Sequence, residues 1–292
     1  MKIDLHIHTR TGSDGNLSIE DVFGEAAKRN IDLISITDHD NITIQDKAVS
    51  LSKHFGMNYI TGVELNVTFA YPGSKQISLD FLGYNFDIHN LALNEKLEFI
   101  RAHRVGRARQ ILDNLNIEFA KENRPAFTET DLKNIQATVD GTFGRPHIAN
   151  YLIEKGIVKD KLEAFDRYLV KCDVPKYPLS LEEASVLIGN AGGFLVLAHP
   201  NDPNGTSLRG VSRSLDEQVN IITLYMLKYI NGIECWHSRH DKLTSDFYLE
   251  YAKKNKLMVT GGSDCHQKPI LMGSIDIPEY VASQFISGSY HS

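Results

Sequence analysis

Apolar and polar residues alternate at the start of the chain: Ile3, Leu5 and Ile7 are interleaved with Asp4, His6 and His8. A strand repeats every two residues, so the aliphatics share one face and the two histidines the other. The turn-forming run Thr9-Arg10-Thr11-Gly12-Ser13-Asp14-Gly15 follows. Ser18 and Asp21 then mark a helix start, with Val22, Ala26 and Ala27 at helical spacing and an end near Asn30. Residues 32–38 read as a buried strand that stops in Asp38-His39-Asp40-Asn41. A helix over about 44–54 and a strand over 58–64 that ends in Glu64 complete a strand–helix–strand–helix–strand order. That is the βα pattern of a parallel sheet or barrel, whose functional groups gather at the C-terminal ends of strands.

Residues 65–84 break this rhythm and read as a hairpin-like pair around Tyr71-Pro72-Gly73-Ser74. From 91 to 178 the strand signal nearly vanishes. Leu93, Leu97, Ile100, Ala108, Ile111, Leu112 and Leu115 fit one long amphipathic helix. Three more follow: one from Thr128, one from Arg145 with Pro146 in its first turn and Gly156 as its stop, and one through Leu162, Phe165 and Leu169. The expectation is a small helical domain, 91–178, inserted into an α/β domain made of 1–90 and 179–292. The βα rhythm then resumes. Ser180 and Glu183 form a capping-box signature, and Gly192-Gly193 ends that helix. A strand over 194–199 ends in His199, a helix covers about 215–229, and a short strand over 232–237 ends in His237. A helix over about 241–255 precedes a last strand that ends in Asp264-Cys265-His266.

His6, His8, Asp14, His39, Glu64, His199, Asp264 and His266 all fall at predicted strand ends, and Asp80 is a ninth candidate. Mixed imidazole and carboxylate donors suit Zn²⁺, Mn²⁺ or Fe²⁺. So many donors exceed one ion's needs and would serve two or three divalent cations sharing a carboxylate such as Glu64. Without cations such a cluster would repel itself and desolvate badly. Cys265 lies between two of the candidates, and alternation turns it towards the packing side.

Composition narrows the picture. With 292 residues, 42% of them hydrophobic, the chain has material for one large α/β domain or a domain with an insertion. The net charge of −6, with no polybasic stripe, argues against binding duplex DNA by charge alone. Three cysteines far apart suggest no disulfide framework. There is no signal-peptide core and no apolar run near the roughly 18 residues a membrane span needs. The expectation is a cytoplasmic protein that does not enter the membrane.

The motifs Asp4-Leu5-His6-Ile7-His8, Ser13-Asp14-Gly15, Thr37-Asp38-His39-Asp40, Gly62-Val63-Glu64, Ala198-His199-Pro200 and Gly262-Ser263-Asp264-Cys265-His266, in this order, resemble the PHP (polymerase and histidinol phosphatase) superfamily of metal-dependent phosphoesterases. The insertion with Gly144-Arg145-Pro146-His147-Ile148 is similar to one subgroup, described as nucleoside 3′,5′-bisphosphate phosphatases and 5′-to-3′ exonucleases on short RNA. The resemblance implies an α/β fold, a distorted (β/α)7 barrel with an inserted helical domain. It implies one ion on His6, His8, Glu64 and Asp264, a second on Asp14, His39 and His266, and a third on Glu64 and His199. Asp80 stands where that pattern has histidine. The run Gln267-Lys268-Pro269-Ile270-Leu271-Met272-Gly273 also departs from the pattern, so the substrate rim is expected to differ.

Such cations would clamp phosphate oxygens and lower the pKa of a bound water, and a bridging hydroxide would attack phosphorus in line. Arg145 and His147, at a predicted helix start, are candidates for holding substrate phosphate. His237 is a candidate for binding phosphate or protonating the leaving oxygen, and His147 for a catalytic role beside it. Arg10, Arg209 and His240 are further candidates, while His54, His89, His103 and His291 read as structural or surface residues. The expected partner is a small phosphorylated molecule, a nucleotide or short RNA. A histidinol-phosphate or other small phosphomonoester phosphatase, a metal-stabilised accessory domain with a decayed site, and a C–N hydrolase stay open beside it. The identity of the dication and the oligomeric state also stay open.

Overall fold

The computed structural model describes residues 1–139, 141–267 and 270–286. β1 (Ile3–Ile7), α1 (Ile19–Lys28), β2 (Leu33–Ile36), α2 (Gln45–Phe55) and β3 (Asn58–Tyr59) come first. β4 (Gly62–Phe69) and β5 (Ile77–Tyr84) form an antiparallel hairpin. Four helices follow: α3 (Leu91–Lys121), α4 (Glu129–Ala137), α5 (Arg145–Glu154) and α6 (Lys161–Ala164), the last running into a π-helical turn over Phe165–Leu169. α7 (Leu181–Asn190), β6 (Phe194–Leu197), α8 (Leu215–Ile221), β7 (Gly232–His237), α9 (Lys242–Lys254), β8 (Met258–Gly262) and α10 (Tyr280–Ile286) complete the described chain. None of the described helices is long and apolar enough to cross a membrane.

The helix starts are chemical. Ser18 accepts from the Asp21 N–H, and Ser180 from the Glu183 N–H. Thr128 and Asp131 form a reciprocal capping box. Each satisfies a backbone donor that the helix itself leaves without a partner. Glu183 departs from the box predicted for it: its carboxylate pairs with Lys96 instead, at 2.5 Å.

The strands form two open sheets. One is parallel, in the order β1-β2-β3; the other is mixed, in the order β4-β5-β6-β7-β8. The sequence-level expectation of a barrel is met as a mixed α/β fold in which no sheet closes among the described residues. Isolated pairs join the two sheets where strands end: Ile7 with Cys265, and His39 with Glu64. The Asp264 N–H donates to the His6 carbonyl at 2.9 Å, and the Asp40 N–H to the Glu64 carbonyl at 2.9 Å. Gly262 permits the first junction, since a β-carbon there would overlap the backbone nitrogen and β-carbon of His6. The strand predicted over 58–64 is two elements. β3 belongs to the first sheet and β4 starts the second, so Glu64 sits near the start of a strand rather than at its end.

Buried apolar side chains fall into three clusters. The largest includes Leu5, Phe81, Val196 and Ile233, together with Leu93, Leu97 and Ile100 from the first turns of α3. A second, from Ile7 to Met272, packs α1 and α2 on the first sheet and takes in Cys265. The third draws only on residues between Ala108 and Cys172. The helical segment thus has a core of its own, but α3 is shared between that core and the sheets. All three cysteines are buried and unpaired.

Candidate metal centre

The strand ends bring eight of the nine predicted donors together. Ligand atoms within 4.8 Å of one another form the sets His8, Asp14, His39 and His266; His6, Glu64 and His199; and His6, His8 and Asp264. A further set, Asp202, His237 and Asp264, adjoins them. Asp80 is in none of these. Asn66 Nδ2 donates to its Oδ1 at 2.5 Å and the Thr206 hydroxyl donates to its Oδ2, so both carboxylate oxygens already have donors.

Hydrogen bonds fix which imidazole nitrogen faces the centre. His6 Nδ1 donates to Glu234 at 3.0 Å, which leaves Nε2 as a lone pair. The Ser13 hydroxyl donates to Asp38 at 2.5 Å, so its oxygen is free to accept from His8 Nδ1 at 3.4 Å. In neutral rings His6 Nε2 and His8 Nε2 would meet at 3.1 Å as two lone pairs, a repulsion that a proton or a cation between them relieves. Asp264 Oδ1 lies 3.4 Å from each. His266 Nδ1 donates to the Asp264 carbonyl at 3.0 Å, turning Nε2 towards Asp14. Asp14 Oδ1 and Asp264 Oδ1 are buried and accept no hydrogen bond. Converging lone pairs and orphaned carboxylate oxygens call for cations, and the donor set fits divalent ones.

Electrostatics point the same way. Burial opposes charge throughout, yet the Glu234, Asp264 and Glu64 carboxylates raise His6 well above the ordinary imidazole range. Burial likewise opposes the charge on His199, and Glu64 pushes it up to about 9. Asp14 and Asp264 are held well below the usual carboxylate range, against their burial, by neighbouring imidazoles. Protons thus compensate for the positive charge that metal ions would supply. Backbone strain gathers here too: Asp40, His199 and Asp264 are non-glycine residues with φ of 48°, 24° and 53°.

The centre opens into a cavity of about 470 Å³. Its lining includes the predicted donors Asp14, His39, Glu64, Asp80, His199, Asp264 and His266, and Pro146, Lys161 and Phe165 of the helical segment.

A PHP domain model matches residues 4–282. The chain belongs to the PHP family. With the donor cluster, this makes it a metal-dependent phosphoester hydrolase, as its motifs imply. A 5′-3′ exoribonuclease from Haemophilus influenzae is 32% identical over 206 residues, covering 68% of this chain and 69% of the relative. A 3′,5′-nucleoside bisphosphate phosphatase from Chromobacterium violaceum is 29% identical over 277 residues, covering 90% and 87%. A structure described as a metal-dependent phosphoesterase from Bifidobacterium adolescentis superposes with a TM-score of 0.79 at 26% identity, over 97% of this chain and 95% of that one. An amidohydrolase from Chromobacterium violaceum, solved with bound sulfate and no metal, gives 0.77 at 29% identity, over 96% and 93%.

Among PHP substrate-contact candidates the structure separates roles. The His237 side chain is wholly buried. Its Nδ1 accepts from the Arg239 N–H at 3.2 Å, so Nε2 carries the proton towards Asp264 at 3.4 Å. It faces a proposed ligand and does not line the cavity. Arg145 pairs with Asp173 at 2.7 Å and lies over the Phe165 ring, also outside the cavity lining. His147 Nδ1 lies 3.1 Å from the Gly144 nitrogen and 3.3 Å from the Gly144 carbonyl oxygen, which ties the ring to the start of α5. Burial lowers its pKa, against the nearby charge of Asp14, and keeps it neutral. His240 is held neutral by burial, its pKa about 4, with Nδ1 on the Cys235 carbonyl at 3.0 Å. Arg209 bonds Asn201 at 3.3 Å. Of the divergent rim, Gln267 and Leu271 line the cavity, while Lys268 and Pro269, like His291, lie outside the described residues.

Sequence reasoning missed the supports. Glu234 is fully buried, holds His6 and accepts from the His199 N–H at 2.8 Å. Asp38 accepts from Thr9 N–H, Thr9 hydroxyl and Ser13 hydroxyl, pinning the loop that carries Asp14. Asp4 accepts from the N–H groups of Ser263 and Gly273. The available signal was a carboxylate inside each apolar strand, at Asp4 and Glu234.

Proposed function

We propose that this enzyme hydrolyses a phosphate ester on the ribose of a nucleotide, with a nucleoside 3′,5′-bisphosphate as small substrate and the end of a short RNA as the larger one. One observation carries this reading: the donor cluster opens into a cavity that residues of the helical segment also line. At about 470 Å³ the cavity falls among small-molecule sites, which span roughly 300–1,000 Å³. The phosphatase and exoribonuclease relatives support it. The helical segment, 91–178, acts in this reading as an inserted domain on a distorted barrel built from 1–90 and 179–292.

His6, His8, Glu64 and Asp264 would hold one cation, and Asp14, His39 and His266 a second, with Mn²⁺, Fe²⁺ or Zn²⁺ all suited to these donors. Glu64 and His199 would share a third only weakly, because Asp80 is engaged by Asn66 and Thr206. Such cations neutralise phosphate charge and lower the pKa of the water that attacks phosphorus. The chain's own groups prepare the site. Glu234 sets the His6 tautomer, His237 orients Asp264, Asp38 fixes the Asp14 loop, and neutral His147 offers a hydrogen-bonding imidazole near Asp14.

The test is phosphate release from adenosine 3′,5′-bisphosphate with Mn²⁺, beside a short 5′-phosphorylated RNA and histidinol phosphate. Release from the bisphosphate, or mononucleotide shedding from RNA, is the expected result. Turnover of histidinol phosphate alone would overturn the nucleotide reading. Inactivity on every phosphoester would favour an accessory domain.

A further inference from the structure

We propose that the helical segment supplies the nucleoside half of the site, with Phe165 as the platform for the base and Lys161 as the contact for the phosphate that is not cleaved. This rests on the nucleotide reading above and assigns its specificity residues.

The cavity lining is of two kinds. Outside the helical segment it is mostly carboxylates, imidazoles and other polar groups with Leu271, which suit a phosphate held by cations but offer no flat apolar ring to a base. The helical segment contributes Pro146, Lys161 and Phe165. Phe165 is half-buried and lines the cavity with part of its ring accessible. The Arg145 guanidinium lies 5.4 Å from the ring centroid and is itself tethered to Asp173 at 2.7 Å and to the Leu169 carbonyl at 3.4 Å. An anchored cation against the ring holds the aromatic in place. Phe165 also opens the π-helical turn, a distortion frequent at functional sites. A pre-positioned ring at a polar cavity suits a nucleobase, whose flat face stacks whatever its identity.

Lys161 is the second element. Most cations of this segment are paired: Arg104 with Asp40, Arg107 and Arg145 with Asp173, Arg109 with Glu129, Arg167 with Glu122 and Lys171 with Glu118. Lys161 is half-buried in the cavity wall and has no carboxylate partner among the described residues. Lys161 lines the same cavity as Asp14 and His266. An ammonium there without a carboxylate partner is suited to a second phosphate beside the one held at the cation centre.

The test is steady-state kinetics with three substrates: adenosine 3′,5′-bisphosphate, adenosine 3′-monophosphate, and the base-less 1,2-dideoxyribose 3′,5′-bisphosphate. Phe165→Ala should raise KM roughly tenfold for both adenosine compounds and leave the base-less one unchanged. Phe165→Leu keeps the apolar volume and should do the same. Lys161→Ala should raise KM roughly tenfold for the two bisphosphates and spare the monophosphate, and Lys161→Arg should restore the wild-type value. In every variant kcat should stay near wild type. If the wild type turns over the bisphosphate and these variants shift no substrate, or all three equally, the inference is overturned while the nucleotide reading stands. If the wild type releases phosphate from none of the nucleotides, the nucleotide reading fails and takes this one with it.

Discussion

The metal centre and the helical segment both carry many charged residues and use them in opposite ways. In the metal centre His6 and Glu64 are buried and Asp264 is nearly so; they share one another as partners, and the buried Oδ1 atoms of Asp14 and Asp264 still have no hydrogen bond. In the helical segment the ion pairs mostly sit at the surface, as with Arg145 and Asp173, whose side chains are 27% and 35% exposed. Burial makes charge expensive, so the first set calls for compensation by protons or cations; solvent screens the second, which needs nothing further. The chemistry is accordingly assigned to the first set and, as proposed above, selection of what reaches it to the helices.

The strongest way to break this contrast is to disarm Glu64, which lies 2.8 Å from His39, 3.1 Å from His199 and 3.3 Å from His8. Glu64→Ala should lower turnover on the order of 10³-fold or more, while circular dichroism stays native. Near-wild-type rates would refute a carboxylate shared between cations. Chelation of the wild type should silence it equally, with recovery on adding Mn²⁺; activity that survives exhaustive chelation would contradict the cation centre itself.

Next in size is the joint between the two regions. Arg104 of α3 reaches Asp40, directly after the proposed ligand His39, and both are buried. Arg104→Ala leaves the Asp40 charge without its partner and should cost about 3 kcal/mol or more in urea unfolding. A loss under 1 kcal/mol would mean the helical segment is attached less firmly than this pair implies.

Much of the strand-end architecture was legible in the sequence because it is local. Alternation in β1 put His6 and His8 on one face, and polar residues at the ends of apolar runs marked the other donors. What stayed hidden is non-local. Glu234 meets His6 across 228 positions. The register of β7 against β8 slips between Glu234 and Trp236. That bulge lets Glu234 and His237, three apart, both reach the centre, where strict alternation would separate them. The split of residues 58–64 between two sheets was hidden for the same reason, since no local signal tells which sheet a strand joins. Asp80 lines the cavity with Glu64 and His199, and its own partners, Asn66 across the hairpin and Thr206 in a distant loop, were hidden because they exist only in the folded chain.

His237 sharpens the line between a ligand and its support. It donates to Asp264 and stays out of the cavity, so His237→Ala should weaken cation affinity by roughly 10- to 100-fold. KM should hold when cation is saturating. A raised KM with unchanged metal content would instead restore the substrate contact expected from the sequence.

Arg145 gives the smallest effect and the finest test. Its pair with Asp173 is partly solvent-exposed, worth about 0–1 kcal/mol, and its contact with Phe165 adds about 0.5–1 kcal/mol at such a site. Arg145→Ala should therefore lower stability by about 1 kcal/mol and leave kcat near wild type. KM for a nucleotide should rise by less than in Phe165→Ala, because the ring remains and only its backing is lost. If Arg145 touched the reacting phosphate, kcat would fall by orders of magnitude instead. A modest KM change alone would place Arg145 behind the wall that holds the base, and keep the charges of the helical segment separate from those that carry the chemistry.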